Sequence, residues 1–174
     1  MQENQPIRIT RLEVRRGHLT CAVEFAPEVP RFTSKALIDK VLPAFPSLPR
    51  HACVNGSGRT FGDVIERTPM YHLLEHMVVD LQVRKMASAP PGAVAPSGEP
   101  AAMPSAPAAL STPATPTAPA NISIVGTSEW VDEAAGLARI DTSFADDQVA
   151  LRALRDAVAA LNAALDEEQR SLRA

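Results

Sequence analysis

The stretch from Ser88 to Ala120 constrains the fold more than any other part of the chain. It holds nine of the sixteen prolines, much of the alanine and a single charged residue, Glu99, and it shows neither a helical nor an alternating apolar period. Repeated proline removes backbone donors and favours extended segments. Residues 88–120 therefore read as a Pro/Ala-rich disordered or polyproline-like insertion. The flanking blocks, residues 1–87 and 121–174, must then share one discontinuous domain. Without the insertion the 174 residues shrink to roughly 140, still enough for one ordinary hydrophobic core.

The two blocks carry readable periods. Ile7 to Val14 and Leu19 to Phe25 alternate apolar with polar residues, and Arg16-Gly17-His18 between them offers a turn, which predicts an antiparallel hairpin. Thr33 or Ser34 can cap a helix whose apolar stripe is Leu37, Ile38, Val41 and Leu42. A short strand or loop, His51 to Val54, precedes the Asn55-Gly56-Ser57-Gly58 turn. Thr68-Pro69 then predicts an N-cap followed by proline at the first helical position. That helix carries Met70, Leu73, Leu74, Met77, Val78 and Leu81 as its apolar surface. After the insertion, Ile122 to Val125 and Gly136 to Phe144 read as strands. Asp146-Asp147 starts a last helix, with Leu151, Leu154, Val158, Leu161 and Leu165 at three- and four-residue steps. The order predicts an α+β two-layer sandwich, a mainly antiparallel sheet with helices on one face.

A net charge of −3 and a pI near 5.8 argue against nucleic acid as a partner, because phosphate binding needs a clustered positive surface. Met1 to Pro6 lacks the apolar core of a signal peptide, and no run of 18 or more apolar residues predicts a membrane span, so the expected location is the cytoplasm. Cys21 and Cys53 are the two cysteines, expected to stay as ordinary thiols there.

The chemistry concentrates in Tyr71-His72-Leu73-Leu74-Glu75-His76-Met77, an H-x-x-E-H pattern of the kind found in inverted zinc peptidases. One helical turn separates His72 from His76, so both imidazoles can reach one Zn²⁺ at about 2.0–2.1 Å. Glu75 lies three residues after His72, where its carboxylate can take a proton from a water as general base. Catalytic zinc uses three protein ligands and an open position, and the third is expected to be Glu129 in Gly126-Thr127-Ser128-Glu129-Trp130, with Glu133 second and Asp132 behind it. Trp130 either excludes solvent from such a site or packs in the core. His51 and Cys53 have ligand chemistry without a spacing that ties them to the motif, and Cys53 reads as structural. Arg59 and Arg67 either grip a substrate carboxylate or are solvated. The bland alternative for the whole triplet is a surface or capping role.

The context of the motif resembles the amino-terminal domain of cyanophycin synthetases. The resemblance is carried by Cys53 and Phe61 around a glycine-containing loop, Thr68 four residues before His72, and His72-x-x-Glu75-His76-x-x-x-Asp80-Leu81-Gln82. It resumes at Gly126 to Glu129 and in the Asp147 to Leu165 helix with Ala153 and Ala157-Val158, and so covers most of the chain outside residues 88–120. Those ligases polymerise aspartate and arginine with ATP through domains that have no counterpart here. In some members the amino-terminal domain resembles a zinc metallopeptidase that cuts the polymer with the H-x-x-E-H residues and a downstream glutamate. The resemblance thus implies His72, His76 and Glu129 as ligands and Glu75 as base. A narrower likeness, over His72 to Met77, is to pitrilysin- and insulinase-type peptidases, but the Asp80-Leu81-Gln82 continuation fits the synthetase domain better.

The expected function is a zinc-dependent hydrolase of a peptide or isopeptide bond, with an aspartate-arginine polymer among the substrates. The alternative is a non-catalytic accessory module that binds a polymer or a partner ligase.

Overall fold

The computed structural model describes residues 5–54, 56–88 and 123–173. Its order of elements is β1 (Ile7–Arg15), β2 (His18–Phe25), α1 (Lys35–Val41), α2 (Met70–Ala87), β3 (Gly126–Asp132), β4 (Leu137–Ser143) and α3 (Asp147–Arg173), with three single-turn 3₁₀ helices between α1 and α2. The strands form one antiparallel sheet in the order β1-β2-β4-β3. The expected α+β architecture is present. The expectation of a disordered insertion falls, apart from Ser88, outside the described residues.

Alternation decides which face of the sheet is covered. Ile7, Leu19, Cys21, Val23, Phe25, Ala138 and Ile140 point to one face and are buried. The opposite face carries exposed charge, with Arg8 paired to Glu24 and Arg139 paired to Glu129 and Asp141. Glycine is required at Gly17, which turns the β1–β2 hairpin at φ +77°. The register of β1 shifts between Ile9 and Arg11.

Helix α3 lays the predicted stripe onto the core: Leu154, Val158, Leu161 and Leu165 are buried, joined by Ala150, Ala153, Ala157 and Ala164. The small alanines let the helix approach closely. Asn162, also on this face, ties α3 to the start of β1: its Oδ1 accepts from the Ile7 amide at 2.8 Å and its Nδ2 donates to the Ile7 carbonyl at 2.9 Å. Such a pair satisfies both backbone groups of a buried residue. Ser34 caps α1, accepting from the Leu37 amide, while Thr33 donates to the Ile65 carbonyl.

Helix α2 is the central element. Met70, Leu73, Leu74, Met77 and Val78 are buried, but so are Glu75, His76, Asp80 and Gln82, so this helix is enclosed by the sheet, α3 and the 45–65 segment rather than resting one stripe on the core.

Two local expectations are corrected and one open alternative is decided. The strand placed at Ile122 to Val125 lies instead at Gly126–Asp132; residues 123–125 precede it, with the Val125 carbonyl accepting from the Ser143 amide at 2.8 Å and the Val125 amide donating to Ser143 Oγ at 2.9 Å. Ile122 itself lies outside the described residues. Of the two alternatives for residues 51–54, strand or loop, the loop is present, with a single bridge joining Ala52 to Thr60. Thr68 is not the side-chain cap of α2, which starts after Pro69 without one; its hydroxyl is used by His72.

Candidate metal centre

The segment before α2 is folded back on itself. The Phe61 amide donates to the His51 carbonyl at 2.8 Å and the Cys53 amide to the Arg59 carbonyl at 3.2 Å, which holds residues 51–53 antiparallel to residues 59–61. In extended chain, residues two apart share a face. His51 and Cys53 therefore project together, and both meet α2.

On α2 the residues they meet are one helical turn apart. Cys53 Sγ lies 3.4 Å from His72 Nε2, and His51 Nδ1 lies 3.3 Å from His76 Nδ1. Ligating atoms of Cys53, His72 and His76 all fall within 4.8 Å of one another. A tetrahedral zinc with Zn–S and Zn–N bonds of about 2.3 and 2.0–2.1 Å separates a sulfur from a nitrogen ligand by about 3.5 Å. The Cys53–His72 spacing fits that geometry, and a thiolate with two imidazoles is a donor set that suits zinc.

Both imidazoles are braced. Phe61, fully buried, stacks on His76 with centroids 3.9 Å apart and meets His72 edge-on at 5.1 Å. His72 Nδ1 lies 2.7 Å from Thr68 Oγ1, so its Nε2 is left to face Cys53. Burial lowers the pKa of His72. Burial, then the charges of His72 and His51, push that of His76 down to about 3. Neutral imidazoles keep a lone pair for a cation.

Asp80, one turn beyond His76, is buried and accepts from Ser47 Oγ and from His51 Nε2 at 3.1 Å, and it is ion-paired with Arg84. Burial alone would raise its pKa, but the hydrogen bonds from His51 and Ser47 and the Arg84 charge hold it below the ordinary value.

Glu75 projects toward β3, still within electrostatic reach of His51. Its Oε2 accepts from Ser128 Oγ at 2.7 Å, and it lies beneath Gly126, where a Cβ would come within 2.4 Å of Oε1. A side chain there would displace the Glu75 carboxylate. Burial raises the Glu75 pKa, opposed by the Ser128 hydrogen bond and the His51 charge.

The structure brings together His72 and His76 as expected, but not Glu129. Alternation along β3 turns Gly126, Ser128 and Trp130 toward the helices and Glu129 to the outer face, where it pairs with Arg139 at 2.8 Å. Asp132 accepts from the Ala135 amide at the β3–β4 turn, and Glu133 is exposed in that turn. The third donor beside the histidines is Cys53, which reads as structural from sequence alone. Trp130 packs edge-on against Phe25 and Tyr71 with Arg31 over its ring, in keeping with a packing role. Arg59 and Arg67 are exposed. His51, Asp80 and Thr68 were the other residues not assigned to the site. Two signals carried them: the four-residue steps from Thr68 through His72 and His76 to Asp80, and the two-residue step from His51 to Cys53.

Cys21, in contrast, is enclosed in the sheet, where burial pushes its pKa up to about 12; it is no ligand candidate. No helix among the described residues is long and apolar enough to cross a membrane. No family model, curated protein or solved structure matches the chain.

Proposed function

We propose that this chain is a metal-dependent hydrolase of a peptide or isopeptide bond, with Cys53, His72 and His76 as the ligands of a zinc ion and Glu75 as the general base. The observation that carries the reading is the closeness of one thiol to two imidazoles that Phe61 and Thr68 brace. Three protein donors leave a fourth position open. A divalent cation held there supplies positive charge that polarises a scissile carbonyl. Glu75, adjacent to His76 on α2, takes the proton of the attacking water and passes it to the leaving amine. Ser128 orients the carboxylate for that task.

The substrate class rests on the resemblance to the cyanophycin synthetase amino-terminal domain, which favours an aspartate-arginine polymer or a related peptide. A cytoplasmic location is part of the proposal, since a thiolate ligand needs the reduced Cys53 that such a compartment maintains. Glu75→Gln is expected to retain zinc and lose hydrolysis of aspartate-arginine polymer or peptide, while His72→Ala loses both. A fully active Glu75→Gln enzyme would refute the base assignment.

A second reading is an accessory module that binds a polymer or a partner ligase around a structural metal. It draws on the burial of Glu75 and His76, each 6% exposed, since a catalytic pair needs a path to substrate. Stoichiometric zinc together with polymer binding and no turnover would select it.

A further inference from the structure

The two histidines are held by unlike partners. His72 rests on a neutral hydroxyl, Thr68, whereas His76 stands at the end of a chain of polar groups running through His51 to Asp80. That chain crosses from α2 to the 47–51 segment and back, so it joins the two parts of the molecule that carry the donors.

We infer that His51 and Asp80 are positioning residues that hold His76 in the tautomer and orientation needed to present Nε2 to the cation. The inference deepens the metal reading above and rests on it. The argument is one of donor and acceptor counting. Asp80 carries the carboxylate, receives the Ser47 hydroxyl and lies against Arg84, so toward His51 it can only accept. The His51 Nε2 at 3.1 Å must then carry the hydrogen. With a single proton, on Nε2, His51 has a lone pair on Nδ1, which faces His76 Nδ1 at 3.3 Å. His76 must therefore donate from Nδ1, and the lone pair of its neutral ring falls on Nε2. Ligating histidines generally donate their second nitrogen to a carboxylate, carbonyl or water; here an interposed imidazole relays the orientation from a carboxylate one helical turn away. Phe61, stacked on the His76 ring, restricts its tilt, which leaves the hydrogen-bond chain to choose which nitrogen faces Cys53.

The test is zinc affinity, measured by competition with a chromophoric chelator, on the full chain and on His72→Ala, His51→Ala, His51→Gln and Asp80→Asn, each with the melting temperature of its metal-free form. Wild type is expected to bind one zinc and His72→Ala none. His51→Ala is expected to bind about 10–100-fold more weakly, with His51→Gln recovering most of the loss, because its amide oxygen can accept from His76 Nδ1. Asp80→Asn should fall between. A purely structural role would lower the metal-free melting temperature and leave affinity within about twofold; that pattern, or a loss that glutamine does not repair, would overturn the inference while leaving the metal reading intact. Absence of zinc binding by wild type would instead sink the metal reading, and this inference with it. Should His51→Ala fail to fold, Ser47→Ala, which removes one donor from Asp80, is expected to weaken zinc in the same direction, and unchanged affinity in that variant would count against the chain.

Discussion

Helix α2 shows two unlike sides. Toward β3 it offers a single carboxylate, Glu75, held by the Ser128 hydroxyl and lying close under Gly126. Toward the 47–61 segment it offers His72, His76 and Asp80 in a row, matched by Thr68, Cys53, His51 and Ser47. The first side isolates one group whose pKa burial raises. The second links many groups and brings two imidazoles and one sulfur close together.

That separation predicts which substitutions stay on their own side. The largest effect is expected for Glu75→Gln, which should lower hydrolysis about 10²–10⁴-fold with zinc content unchanged; zinc lost together with activity would show that the sides are not separate. Phe61→Ala, removing the ring stacked on His76, should destabilise by about 3–5 kcal/mol in chemical denaturation and weaken zinc as well. Gly126→Ala is milder. Its methyl meets Glu75 rather than a histidine, so a stability loss of about 1–3 kcal/mol and reduced turnover should come with normal zinc affinity, measured on the same samples. Smallest of all, Glu129→Gln on the outer face should shift stability by no more than about 0.5 kcal/mol, and a thermal melt beside a zinc titration would expose any larger role.

The sheet and helices were legible because their signals are local. Two-residue alternation placed the β1–β2 hairpin, and three- and four-residue steps placed α3 from Leu154 to Leu165. The start of β3 was not, because no propensity in Ile124-Val125 reports where the pairing with β4 begins. His72 and His76 were legible for the same local reason, being one turn apart. The third donor was not. Alternation alone excludes neither face of a strand, so Glu129 looked as able to face the helix as Ser128. Cys53 reaches the histidines only through the backbone pairing of residues 51–53 with 59–61, which is a tertiary fact of a loop without a periodic signature. Asp80 stands in the Asp80-Leu81-Gln82 continuation, but its contact with His51 depends on that same loop.

The central claim is the identity of the donor set, and the most direct measurement is the zinc dissociation constant of Cys53→Ala beside that of Glu129→Ala, on protein reconstituted under reducing conditions. The account predicts that Cys53→Ala loses stoichiometric zinc while Glu129→Ala binds as wild type does. Zinc retained in Cys53→Ala and lost in Glu129→Ala would contradict it and return the site to the strand.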